Sequence, residues 1–406
     1  MKKAIILIQA LAAAVAAFSS CNQFIDGPVN KLTFEVSIKS DDPVSRTSVA
    51  ADGKTAWVAG DVIAITDGTS TKNVTLAAGN IKPDGSASFS VDLTASGNYQ
   101  AIYPASALES FGSGTASINM PAAVQDGTVD GVQIMTASSS TTSLSFHNAA
   151  ALVTFSLADA GIEKIRFRGN GGETLGAVST VATPTGVITP DSGEIKEITV
   201  DVNHSGTNYI AILPADFTAG FTITCLASDK VVGWVPGKTA VNVGRGKILS
   251  LGALDARVRP AEDLFGVTFD AAGTTKTADA TMSYTTAAGT ALLQTWNSGT
   301  NYVNHSAKYI YKTSSNQALR LYAGHHLNFN AGTDKIARVD FEMGPWSSND
   351  GSYNDGTAGK IATILESVGS YVWDDARHAH WEGSASAFTI YYHSQVRLSG
   401  LVIYYE

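Results

Sequence analysis

KLTFEVSI, residues 31–38, alternates apolar and polar side chains: Leu32, Phe34, Val36 and Ile38 fall on one side, Thr33, Glu35 and Ser37 on the other. A period of two marks a half-buried strand. The texture continues downstream. KTAWVAGDVIAITD (54–67) gives two short strands around Gly60, and NVTLAA, ASFSVDL and NYQAIYP follow, separated by Gly, Asp, Pro and Ser clusters. Short strands between turn signals predict a β-sandwich. ASALESF (105–111) holds at most one turn of helix.

A second block opens at SLSFHNAAALVTFSL (143–157). It runs through KIRFRG, EITVDV, NYIAILPADF, FTITCLAS and KVVGWVPG to VNVGRGKILSLGAL (241–254), and every element again reads as a strand. DARVRPAED (255–263) is charged, contains Pro260 and reads as a linker. The third block, 264–406, carries six of the eight His. It ends in AFTIYYHSQVRLSGLVIYYE (387–406), two alternating strands expected to dock in a sheet.

Upstream of the first strand, Lys2 and Lys3 precede an apolar run, then Ser19, Ser20 and Cys21. The run falls short of the roughly 20 residues that a membrane span needs, so 1–20 reads as a secretory signal. A cysteine directly after small residues marks Cys21 for lipidation, with 21–30 as a tether. Two or more acyl chains suffice for stable anchoring, which points to the outer membrane or cell surface.

Net charge is −9 and no basic run follows Lys2-Lys3, which argues against nucleic-acid binding. Cys225, in FTITCLAS, is then the only other cysteine and reads as a small buried hydrophobe. No disulfide is available to supplement the core.

The first two blocks resemble the fimbrillin family of surface lipoproteins. The likeness is carried by Cys21 and by five stretches in order: SRTSVAADGKTAWVAGDVIAI from Ser45, YPAS from Tyr103, SFHNAAALVTFSL from Ser145, YIAILPADFTAGFTIT from Tyr209 and VNVGRGKILSLG from Val241. The resemblance implies an all-β chain with two transthyretin-like sandwiches, 31–142 and 143–254. It also implies other fimbrial subunits as partners. Cleavage between Arg46 and Thr47 would remove the first strand, and a strand from another subunit would fill the groove, a form of β-augmentation. The third block departs from that pattern. NQALRLYAGHHLNF, KIARVDFEM and HWEGSASAFTIYYHSQVRLSGLVIYY are similar to jelly-roll modules of carbohydrate-binding layout. An appended module of 264–406 implies a tip, adhesin or accessory subunit rather than a shaft subunit.

GPWSSNDGSYNDGTAGK (344–360) is the richest loop. Trp346 and Tyr353 offer flat faces beside Asn349, Asp350, Asn354 and Asp355, a combination suited to glycan. The oxygens of Asp350 and Asp355 also suit a structural calcium, although the spacing fits no EF-hand. In YVWDDARHAHWEG (371–383), His378 and His380 share a face if the segment is a strand, and could hold a metal. Trp373 is a further candidate for the binding face, whereas Trp381 is expected to pack. His325 and His326, being adjacent, face opposite ways on a strand. Asp374, Asp375 and Glu382 could serve a glycoside-acting domain, which needs two facing carboxylates. No nucleophile elbow, phosphate loop or metalloprotease motif is present, so no enzyme and no cofactor is expected.

Overall fold

The computed structural model describes residues 31–39, 48–49, 55–120, 124–125, 133–264, 275–276, 282–296, 310–312, 317–321, 324–343, 362–374, 377–393 and 396–406. The chain is all-β, and the helical elements among these residues are three 3-10 turns. One of them, Ala105–Ala107, is the single turn expected after Tyr103.

The first sheet has seven strands in the order Thr71–Thr75, Val62–Thr66, Tyr99–Tyr103, Met135–Ser139, Ser143–Asn148, Leu32–Ile38 and Ala87–Val91. Its inward residues share one core, so the sheet curls about itself. Trp57 anchors that core, edge-on to Tyr103 at 5.3 Å and to Phe146 at 5.0 Å. Phe34 and Val36 are buried as the alternation requires. Leu32–Ile38 runs parallel to Ser143–Asn148 and antiparallel to Ala87–Val91. Ser143–Asn148 stands at the head of the second block in sequence, yet its Leu144 and Phe146 pack in this first core.

Two strands of the first block leave its sheet. Leu108–Phe111 and Thr115–Met120 join Gly176–Ala182 and Val187–Ile195 of the second block in a four-stranded sheet. A small core, including Ile102, Ile118, Ala150, Val181 and Leu213, fills the junction. The remaining strands of the second block form two layers around Phe155, Phe167, Phe217, Ile223 and Cys225.

The segment read as a linker, 255–263, is built into the fold. Asp255–Arg257 forms a 3-10 turn and Arg259–Asp263 is a strand. It pairs with Lys230–Gly237 of the second block on one edge and with Val396–Tyr405 of the third on the other. Charge and a proline hid this strand. Pro260 lacks an N–H, but only two of its residues, Arg259 and Pro260, pair with the second block, so the missing donor is tolerated.

One twelve-stranded sheet therefore runs through both blocks. Between Lys164–Gly169 and Ile336–Met343 stand four strands: Phe221–Ala227, Lys230–Gly237, Arg259–Asp263 and Val396–Tyr405. On a flat sheet those outer strands would lie about 24 Å apart. Arg168 nevertheless reaches Asp340 at 3.4 Å, so the sheet rolls into a half-barrel. Leu226, Val231, Trp234, Ala337, Val402 and Tyr404 fill its concave face. The Trp234 indole N–H donates to the Tyr405 carbonyl at 3.0 Å, and Arg259 lies over its ring.

The third block is an antiparallel two-layer sandwich. Ile336–Met343 and His378–Ala385 pair in one layer, and His325–Asn330 and Ala387–Tyr392 pair in the other. The chain crosses between layers after Asn330 and again after Ala385. Trp381 stacks on Phe388 at 3.8 Å and Phe388 on Phe329 at 4.6 Å, which fills the centre.

Candidate functional site

Among the described residues of the third block, the candidates Trp373, Asp374, His378, His380 and Glu382 fall on or next to two paired strands at one border of this sandwich. Ser370–Trp373 is the last strand of the half-barrel sheet and pairs with His378–Ala385. Ala362–Ile364 is the last strand of the facing layer and pairs with Ala387–Tyr392. Alternation along these strands decides what faces out and what faces in.

His378, His380 and Glu382 share the outward face of their strand, while Ala379 and Trp381 point into the core. The His380 Nδ1 atom lies 2.8 Å from a carboxylate oxygen of Asp374, a contact that orients the ring. Arg377 pairs with Glu342, and Arg338 reaches both Asp340 and Glu382. The carboxylates of this face thus serve as partners for neighbouring basic groups. No group of three or more His, Cys, Asp or Glu placed to hold a metal occurs among the described residues.

Trp373 lies opposite Ala379 in the register and packs, half-buried, against the core cluster. It occupies the inner face; Val372 is the exposed side chain there. Trp381 is fully buried and donates its indole N–H to the Val368 carbonyl at 3.0 Å. His325 is buried and His326 half-exposed on the opposite face, as adjacency requires. Burial lowers the His326 pKa. Cys225 is fully buried, and burial pushes its thiol up to about 12.

Several candidates from the sequence lie outside the described residues. They are Cys21, Arg46, Thr47, Trp346, Asn349, Asp350, Tyr353, Asn354, Asp355 and Asp375. The strands that bracket the 344–361 segment, Ile336–Met343 and Ala362–Ile364, belong to opposite layers of the sandwich.

Tyr371 and Tyr392 extend the same border inward, with Tyr371 next to Trp373 at a ring separation of 6.3 Å. Tyr371 and Trp373 are spaced two apart, which signalled a shared face; Tyr392 is far away in sequence and gave no signal.

No family model matches the chain, and no curated protein matches it. Among solved structures it is similar to a candidate cell adhesion protein from Bacteroides ovatus ATCC 8483, at 15% identity and a TM-score of 0.37, covering 57% of this chain and 96% of that one. A candidate cell adhesion protein from Bacteroides uniformis ATCC 8492 gives 16% identity and a TM-score of 0.35, covering 56% and 95%. A fimbrial protein from Bacteroides ovatus ATCC 8483 gives 10% identity and a TM-score of 0.25, covering 80% and 71%. Likenesses at these scores carry no argument about function, which rests on the chain's own residues. No helix among the described residues is long and apolar enough to cross a membrane.

Proposed function

We propose that the chain is a non-catalytic, lipid-anchored cell-surface protein of fimbrial type. It acts as an accessory, tip or adhesin subunit whose C-terminal jelly-roll sandwich binds glycan or another surface ligand. The observation that carries this reading is the placement of Val396–Tyr405. A shaft subunit assembled by β-strand addition offers a strand to its neighbour. Here the ten-residue strand is bonded on one edge to Ile336–Met343 and on the other to Arg259–Asp263 and Gln317–Leu321. Donating it would dismantle the sandwich. The leader and Cys21 support display at the surface, and the paired charges around Asp374 and Glu382 support a non-catalytic role.

A second reading, a subunit matured by cleavage after Arg46, is favoured by one feature. Leu32–Ile38 lies inside its sheet rather than at an edge, and its loss would open a groove floored by Leu144 and Phe146. Intact-mass and N-terminal analysis of the protein from its native membrane tests both. A lipid-modified Cys21 terminus is expected. A terminus at Thr47 would replace the accessory reading with assembly by strand donation.

A further inference from the structure

Val124–Gln125 is a two-residue strand that runs parallel to Glu197–Asp201, with Val124 opposite Thr199 and Gln125 opposite Val200. It stands at the end of the twelve-stranded sheet. The Gln125 side chain, 7% exposed, reaches across to the facing layer of the second sandwich. Its Nε2 donates to the Ala211 carbonyl at 3.1 Å, and the Ala211 N–H donates to its Oε1 at 3.0 Å. Ala211 belongs to Asn208–Ile212, the terminal strand of the three-stranded sheet. That strand pairs with Ala151–Ser156 on one side, and among the described residues no strand flanks the other.

A side-chain amide carries the same donor and acceptor as a peptide group. The reciprocal pair at Ala211 is the exchange that two antiparallel strands make at a hydrogen-bonded position. Gln125 therefore supplies one rung of a strand that is missing from this edge. Two residues on, the Leu213 N–H is also taken, by the Leu175 carbonyl at 2.7 Å. The edge needs such cover. NYIAIL (208–213) holds no charge and no proline, and an uncharged run of high strand propensity is a template for pairing with another chain. Val187–Ile195, also the terminal strand of its sheet, carries Pro190, Asp191 and Glu194 as its own deterrents.

We propose that Gln125 guards a self-complementary strand edge, and that the partner this edge fits is the same edge of a second copy of the chain. Ala211 turns its N–H and its carbonyl to the free side, so a two-fold axis there lets two copies exchange the bonds that Gln125 now makes. Antiparallel pairing about that axis sets Ile210 against Ile212 and brings no like charges together. The edge lies in the second sandwich, so the inference stands apart from the adhesin reading of the C-terminal one.

The test compares the wild-type full chain, in detergent, with Gln125→Met, which nearly keeps the volume and loses both hydrogen bonds. Light scattering after size-exclusion chromatography reads the mass. Hydrogen exchange by mass spectrometry, with fragmentation that resolves Ala211, reads the edge. The wild type is expected to be a monomer with the Ala211 amide protected at every concentration. In dilute Gln125→Met that amide should exchange about tenfold faster or more. On concentration the variant should form dimers and regain the protection. Gln125→Asn, one methylene too short to reach, should behave alike and stands in if Gln125→Met does not fold. A dimeric wild type, or an unprotected Ala211 amide in it, would overturn the proposal. So would variants that stay monomeric throughout, or dimers that leave Ala211 unprotected, since those would pair elsewhere. Failure of both variants to fold would make Gln125 a bridge between layers rather than a guard, and would overturn it too.

Discussion

Asp340→Ala should loosen the junction between the second block and the C-terminal sandwich. The Asp340 carboxylate accepts from Arg168 at 3.4 Å and from the Tyr404 hydroxyl at 3.1 Å, and it also pairs with Arg338. Breaking a buried ion pair costs about 3–5 kcal/mol because the partner is left charged and alone. The side chains of Arg168 and Asp340 are 21% and 24% exposed, so solvent screens part of that. About 2–3 kcal/mol remains for the substitution. For a cooperative unit of some 150–250 residues this is about 4–12 °C in melting temperature. Differential scanning calorimetry of the full chain in detergent reads it directly. A double-mutant cycle with Arg168→Ala should give a coupling of about 0.5–3 kcal/mol. The pH dependence supplies an independent sign. Burial opposes the charge on Asp340, yet Arg168 and Arg338 hold its carboxyl below the ordinary value. Its contribution is then complete above an unfolded-state pKa of about 4 and lost as pH falls through the lower native value. The stability gap between the wild type and Asp340→Asn should therefore close in acid. Additive single mutants, or melting unchanged at neutral pH, would refute the idea that this ion pair clamps the half-barrel.

Other outcomes follow from particular contacts. Cys225 should resist alkylation in the native protein and react only on unfolding, since its thiol is buried and pushed up to about 12; a mass-shift time course reads this. Gly220 has φ +76°, and a Cβ there would stand 1.8 Å from the Gly237 carbonyl oxygen. Gly220→Ala should cost about 2 kcal/mol or more in denaturant melts. Trp381→Ala removes the ring stacked at 3.8 Å on Phe388 and should cost about 3–5 kcal/mol by the same melts.

Strand identity was legible because period two is local information. KLTFEVSI becomes Leu32–Ile38 with Phe34 and Val36 inward, and the adjacent His325 and His326 face opposite ways, because successive side chains on any strand must alternate. The grouping of strands was not legible, because hydrogen-bond partners lie far apart in the chain. Ser143–Asn148 reads like the strand that follows it, yet it pairs with Leu32–Ile38, more than a hundred residues earlier. The inward turn of Trp373 follows from its register with Ala379, which one strand alone does not specify.

The sequence by itself determined an all-β chain, the alternating faces of its strands and the buried character of Cys225 and Trp381, since each depends on spacing and side-chain polarity. Only the tertiary structure decided that the segment around Pro260 is a shared strand, that Arg168 meets Asp340 across a rolled sheet, and that Tyr371, Trp373 and Tyr392 converge at one border. Those depend on pairing and curvature, which arise when distant strands bury a common core.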